Sequence, residues 1–384
     1  MAKSRKGGAI QRTISMLTFG DKGTWKSSLG MEAGALKRPD GKDMRVLVID
    51  SEFGGVDTAL DRKAAQFGFN PDNTYIIYTE SYSEILGLLD KCKKKEPFYT
   101  YDDEGEETDE IVLDADGEEF RPDFIVLDGT TVIYNASSIA KVKFSEKRAK
   151  VKSKLADKNA EETLVAVQGA DLEFKDYKKL NTEMSQELIL KLISTGLHHY
   201  VTARETDEKH KIQVLDPTTN KMKTENVPTG TKIPEGFKGM EYNVGTVIRL
   251  YVNEFGQVNG QVVNKDRTEV HSPSSIIEEP TLLAWQSVIT GNKGKERVAM
   301  NPSFSESIDK EYKKELEENN ISKEDKVDEL TAEGYHALIK ETLAKMIPSK
   351  KTTLAGKLKA KGFTPKYGEL TDIEKLKEYV SLLK

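Results

Sequence analysis

The chain of 384 residues has a single cysteine, Cys92, so no intrachain disulfide and no cysteine-based metal cluster can form. It has no long apolar run. The longest, such as 46–49 and 124–127, are only a few residues, against the roughly 20 that a membrane span needs. Residues 1–12 are basic but carry no apolar core of the kind a secretory signal requires. The chain also lacks an excess of either charge: 58 Lys+Arg against 64 Asp+Glu leave a net charge of −6, although 32% of residues are charged. A uniformly basic nucleic-acid coat and an acidic disordered tail are thereby excluded as descriptions of the whole molecule. Histidine is scarce as well. His198 and His199 are neighbours on one strand and point to opposite faces, and His210, His271 and His336 are isolated, so no catalytic or metal-binding histidine pair is read. The apolar fraction, 37%, is low but sufficient for a core. At roughly 150 residues per domain the length suits two or three domains. These features together predict a soluble, cytoplasmic protein.

What is present is an alternation. Residues 13–19 (TISMLTF), 45–50 (RVLVID), 74–79 (TYIIYT), 123–128 (DFIVLD) and 197–202 (LHHYVT) read as strands. Helical spacing occupies 27–36, 56–67, 83–95 and 177–195. Almost wholly apolar strands alternating with helices predict an α/β fold, a mostly parallel central sheet covered on both faces by helices. Residues 247–252 and 261–264 continue the strand pattern around the turn NEFGQVNG. The expected organisation is a basic tail at 1–12, a core at 13–290 and a small helical C-terminal domain at 301–384, with helices at 306–318, 332–347, 352–361 and 372–383. Two blocks interrupt the rhythm. Residues 101–120 hold eleven carboxylates and no basic residue, and read as an inserted acidic hairpin. It either solubilises the surface or mimics a nucleic acid in front of a basic groove. Residues 141–158 hold eight Lys/Arg and two acids, and 204–240 form a long polar loop or hairpin.

Chemistry concentrates at the end of the first strand. Gly20, Asp21, Lys22, Gly23, Thr24, Trp25, Lys26, Ser27 and Ser28 lie between a strand and a helix, where a phosphate-binding loop belongs. There backbone N–H groups face the phosphates, a lysine neutralises them and a hydroxyl holds Mg²⁺. Lys26 and Ser27 suit the last two roles. The pattern GxxxxGK[ST] is met except at its second glycine, which is Trp25. Trp25 can point outward and stack on a nucleotide or a neighbour. The second strand runs into Ser51 and Glu52, and the fourth ends in Asp128. In a nucleotide-hydrolysing sheet one such carboxylate positions Mg²⁺, which suits Asp128, and another polarises the attacking water, which suits Glu52. Each taken alone also fits a plain helix cap.

The segments Gly20–Ser28, VLVIDSE, YIIYTESYSEILGLLDKC and FIVLDGTT, then LHHYVTARETDE and VVNKDR, resemble in order the RecA/RadA ATPase core. The look is most similar to phage-encoded RecA-like ATPases that act on single-stranded DNA in annealing, recombination or replication. The resemblance spans residues 14–277. It implies a P-loop NTPase core, with ATP and Mg²⁺ as cofactors and ATP placed between subunits of a head-to-tail ring or filament. Lys26 and Ser27 would bind phosphate and Mg²⁺, with Asp128 behind the ion and Glu52 as general base. Thr202 or Arg204 would sense the γ-phosphate, and Lys265 and Arg267 would reach the neighbouring subunit's nucleotide. Two departures stand out: Trp25, and the stretch Asn243, Val244, Gly245, where related phage proteins tend to carry an aspartate.

DNA contact is expected after the fourth and fifth strands, at Lys141, Lys143, Lys147, Arg148, Lys150 and Lys152 and at Lys232 and Lys238. Lysines neutralise phosphates there, and Phe144 can stack on a base. A helix with a solvated basic face is the plain alternative. The partners implied are single-stranded DNA, further copies of the chain and a single-strand-binding or replication protein. A phage gene product would work in its bacterial host's cytoplasm. Two other readings fit the same core: a DnaB-like helicase motor, disfavoured by the lack of an N-terminal helical collar, and a nucleotide-gated DNA-binding scaffold with weak hydrolysis.

Overall fold

The computed structural model describes residues 11–215, 222–236 and 239–295, together with parts of 335–382. The tail up to residue 10, Lys238 and the expected helix at 306–318 lie outside the described residues, and those at 332–347 and 352–361 lie largely outside them. The chain divides into two compact units, Met1–Phe304 and Ser305–Lys384. The second contains the helix Ile373–Leu382 and buries Tyr335, Ile339, Leu354, Leu358, Leu376 and Tyr379 in a cluster of its own.

The first unit is an α/β structure built on a nine-stranded, mostly parallel mixed sheet. Strands β1 (Ser15–Gly20), β2 (Val46–Asp50), β3 (Thr74–Tyr78) and β6 (Phe124–Asp128) carry the apolar runs. β7 (His198–Leu215) and β9 (Thr246–Val252) complete the parallel part. The order across the sheet is β3-β2-β6-β7-β1-β9, all parallel. β10 (Val258–Asp266) and β11 (Ile276–Glu278) then close it antiparallel. The outer half of β7 leaves the sheet and pairs antiparallel with β8 (Met222–Pro234), forming a protruding two-stranded ribbon.

The strand period of two explains how the sheet is covered. Leu17, Phe19, Leu47, Ile49, Ile125, Leu127 and Val201 face one core, which includes Ile85, Leu88 and Leu89 of α3 (Tyr82–Lys94) and Ile189 and Leu192 of α7 (Ile189–Ser194). Their alternates Met16, Val46, Val48, Phe124, Val126 and Tyr200 face a second core with Leu29 and Met31 of α1 (Lys26–Met31) and Ala59 and Leu60 of α2 (Val56–Phe67). β1 therefore leaves through a helix on one face. β6 leaves through α4 (Thr130–Leu155), whose Ile133 belongs to the other face. Connections that depart to opposite faces open a crevice at the carboxyl ends of the strands, the usual ligand position in such sheets.

Two segments gain detail over their sequence reading. The basic block 141–158 takes the helical alternative: most of it is the second half of the 26-residue helix α4, followed by α5 (Ala160–Gln168) and α6 (Phe174–Thr182). The acidic block forms two consecutive hairpins, β4 (Tyr99–Tyr101) against β5 (Glu107–Ile111) and then a Leu113–Glu119 bridge. Several of its carboxylates are tied to the core, Asp116 to Lys42 at 2.7 Å, Asp114 to Arg45 at 3.6 Å and Glu107 to Lys91. Among the described residues no helix is long and apolar enough to cross a membrane.

Candidate functional site

The turn after β1 is shaped by close packing. A Cβ on Gly20 would lie 2.2 Å from the Leu250 carbonyl oxygen of β9, so only glycine lets β1 end there. The turn closes on itself. Thr24 Oγ1 donates to the Asp21 carbonyl at 2.7 Å, and Lys26 Nζ donates to the carbonyls of Gly20 at 3.0 Å and Asp21 at 2.8 Å. Asp21, Lys22 and Gly23 are exposed, and Thr24 is buried. Burial holds the Lys26 ammonium below its ordinary pKa, while Glu52, Asp128 and Asp21 pull it upward. The lysine thus occupies loop carbonyls through a charge that a phosphate would attract away.

Trp25 departs from glycine in identity but not in backbone. It adopts φ 62° and ψ 26°, the left-handed conformation that glycine takes without steric cost. For a bulky residue this costs about 1–2 kcal/mol. The indole is 60% exposed and is covered on one side by Arg62, whose guanidinium lies 5.9 Å from the ring centroid and donates to Ser28 Oγ at 2.8 Å. Phe53, next to Glu52, is a second exposed aromatic with positive φ.

The ends of β1, β6, β7 and β2 converge. Ser27 Oγ donates to Asp128 Oδ2 at 2.7 Å. Thr202 Oγ1 donates to Asp128 Oδ1, and it accepts from the Gly129 amide at 2.8 Å. Asp128 is almost fully buried. Desolvation pushes its carboxyl up, and the hydroxyls of Thr202 and Ser27 oppose that shift. Gly129 has φ +88°, and a Cβ there would strike Ser51 Oγ at 2.5 Å and Glu52 Cγ at 2.7 Å. Ser51 Oγ lies within donating distance of the carbonyls of Asp128 (2.7 Å) and Gly129 (2.8 Å), tying β2 to β6. Asp50 accepts from the amides of Glu52 at 2.8 Å and Gly54 at 3.2 Å, which fixes the turn that presents Glu52. Glu52 Oε1 receives the Arg204 fork at 3.1 and 3.2 Å.

The residues singled out from sequence therefore divide. Lys26, Ser27, Asp128, Glu52, Thr202 and Arg204 come together. Of the last two, the Thr202 hydroxyl is occupied between Asp128 and Gly129, whereas Arg204 is exposed and aimed at Glu52. Lys265 and Arg267 do not join them. β10 runs antiparallel to β9, so its end at Asp266 pairs with Thr246, and the Arg267 amide bonds the Gly245 carbonyl beside the start of β1. That is about 17 Å along β1 from Gly20, at ~3.3 Å per residue. Lys265 Nζ donates to the Tyr242 carbonyl at 3.1 Å, and burial followed by Arg267 lowers its pKa.

The cationic residues divide too. Lys143, Lys147, Lys150 and Lys154 are exposed and recur at i, i+4, i+7 and i+11, one stripe along α4. Among the described residues the first three have no carboxylate at ion-pair distance. Lys141 is half-buried. Lys152 lies 3.8 Å from Glu173, and Arg148 is bound to Asp176 and stacked 5.4 Å from the Phe144 ring. Lys232 on the ribbon is paired with Asp207 at 2.8 Å.

Sequence reading missed the wiring by Ser51 and Asp50, though both sit inside VLVIDSE, and it missed Arg62, for which no local pattern exists. Among the described residues no group of three or more His, Cys, Asp or Glu is placed to hold a metal alone. A scan against protein-family models gives no match, and neither does a search of curated proteins.

Proposed function

We propose that this chain is a Mg²⁺-dependent ATPase with a RecA-like P-loop core that works on single-stranded DNA in recombination, annealing or replication. The observation that carries the reading is the convergence of Lys26, Ser27, Asp128, Glu52 and Arg204 on one crevice from four strand ends. Lys26 would exchange its loop carbonyls for phosphate oxygens. The pair of a hydroxyl with a buried carboxylate behind it, Ser27 and Asp128, fits Mg²⁺, which would neutralise charge on the phosphates. Glu52 is the carboxylate free to orient water once Arg204 turns to the γ-phosphate. Because Lys265 and Arg267 lie at the opposite end of the sheet from their own loop, any nucleotide they served would be a second copy's. That is the head-to-tail arrangement in which hydrolysis depends on assembly. The lysine stripe, carried on the second half of the helix that follows Asp128, supports a phosphate backbone as the partner.

The test is ATP turnover by purified protein at low salt, with and without single-stranded DNA. Stimulation is expected, and equal rates would remove the DNA-dependent part of the reading. The Glu52–Arg204 ion pair and the tryptophan in the loop favour one second reading, a nucleotide-gated binding protein with slow hydrolysis. Tight ATP binding with negligible turnover in the presence of DNA would select it.

A further inference from the structure

Beside the phosphate loop lies a cavity of about 610 Å³. It begins at the loop itself, since Thr24, Trp25 and Ser28 form part of its wall. Leu29, Phe67 and Leu250 give it apolar surface, and Gln66 stands at its edge. The size falls within the roughly 300–1,000 Å³ usual for small-molecule sites. The one buried carboxylate in its wall, Glu32, is already satisfied. It pairs with Lys63 at 2.5 Å and accepts from Thr281 Oγ1 at 2.7 Å and the Leu282 amide at 2.8 Å. The cavity therefore combines an apolar wall with the amides of Gln66 and Gln257, and its one buried carboxylate is already taken.

Trp25 is the unusual element of that wall. It holds a strained left-handed backbone and leaves most of its indole in water, and folding alone rewards neither. Arg62 stacks on the indole and anchors itself to Ser28, which fixes the ring at the mouth of the cavity. We propose that Trp25 is a base-stacking residue: with the phosphates on the loop, the base and ribose of a purine nucleoside triphosphate enter this cavity and the base lies against the indole. The glycine-like backbone keeps the loop's shape, so the chain gains a stacking surface while keeping a phosphate-binding turn. Gln66 supplies an amide able to pair with the donor and acceptor edge of a purine.

The inference rests on the phosphate-loop reading proposed above, and calorimetric titration with Mg²⁺ can separate the two. The ligands are ATP and inorganic tripolyphosphate, which has the phosphates but no base. The variants are Trp25→Gly, which suits the left-handed backbone, and Trp25→Phe, which keeps a stacking ring. Base–aromatic stacking predicts that Trp25→Gly weakens ATP binding roughly 10- to 100-fold. Its affinity for tripolyphosphate should stay within about two-fold of the parent, and Trp25→Phe should recover most of the ATP affinity. ATP affinity unchanged in Trp25→Gly, or an equal loss for both ligands, would overturn the stacking role and leave the loop reading standing. Failure of the unmodified protein to bind either ligand would overturn both.

Discussion

Only Gly129 separates Asp128 of the crevice from Thr130, where the helix α4 starts, yet the two are built on opposite principles. In the crevice nearly every polar group has a partner inside the chain: Ser27 and Thr202 on Asp128, Ser51 on β6, Asp50 on the following turn, Arg204 on Glu52. Along α4, Lys143, Lys147 and Lys150 point outward with none among the described residues. The first arrangement fixes geometry in advance, as charge stabilisation in a reaction requires. The second is a set of mobile charges whose effect appears only when a partner of opposite charge arrives. The contrast teaches where chemistry and where capture should be sought, and it can be broken by experiment.

The largest effect should follow from disturbing the fixed side at its reactive end. Glu52→Gln keeps the size of the side chain and a hydrogen bond to Arg204 but removes the carboxylate proposed as the base. ATP turnover should fall roughly 10²–10⁴-fold with ATP affinity nearly unchanged. Turnover within a few-fold of the parent would assign Glu52 to structure, leaving the crevice a binding site.

The next effect tests the fixed side away from the reacting centre. His199 is fully buried. Its Nδ1 lies 3.1 Å from the Leu197 carbonyl, which can only accept, so Nδ1 carries the proton and Nε2 accepts from Ser15 Oγ at 2.7 Å. Burial lowers its pKa from 6.5 to about 4. Between those values the unfolded chain binds a proton that the folded chain refuses. The stability it contributes is therefore complete above pH 6.5 and is lost as pH falls toward 4. From pH 7 to pH 5 the loss should be about 2 kcal/mol, measured by chemical denaturation. His199→Gln should flatten that dependence. An equal slope in the variant would place the pH sensitivity elsewhere.

The same contrast explains what the sequence made legible. β2 and β6 are five-residue apolar runs ending in carboxylates, so strand, burial and candidate site could be read from one local pattern. α4 gave no such pattern. Its Ile139, Phe144, Val151 and Leu155 are all exposed, so no single apolar face marks the helix, and the lysine density resembles a loop. The ribbon of β7 and β8 is exposed on both faces, which removes the alternation that identifies strands. Glu52 and Arg204 are 152 positions apart and meet only because the sheet order brings the ends of β2, β6 and β7 together. Trp25 was visible as a departure, but its glycine-like φ is a property of the folded turn.

The smallest expected effect separates the two kinds of cation within α4 itself. Arg148 is held by Asp176 and Ser145 and packs on Phe144, so it belongs to the wired class. Lys143, Lys147 and Lys150 belong to the other. Replacing those three by glutamine should reduce affinity for single-stranded DNA roughly ten-fold at moderate salt. It should also make the logarithmic salt dependence shallower by about 2, since each lost single-strand phosphate contact contributes about 0.7. Thermal stability should stay near the parent value, because exposed lysines hold little together. Arg148→Gln should do the reverse, lowering the melting temperature while leaving the salt slope close to the parent. Anisotropy titrations at several salt concentrations, paired with thermal melts, read both quantities on the same proteins. If Arg148→Gln flattens the salt slope as much as the triple lysine variant, the arginine leaves Asp176 to meet phosphate, and the division between fixed and mobile charge fails on α4.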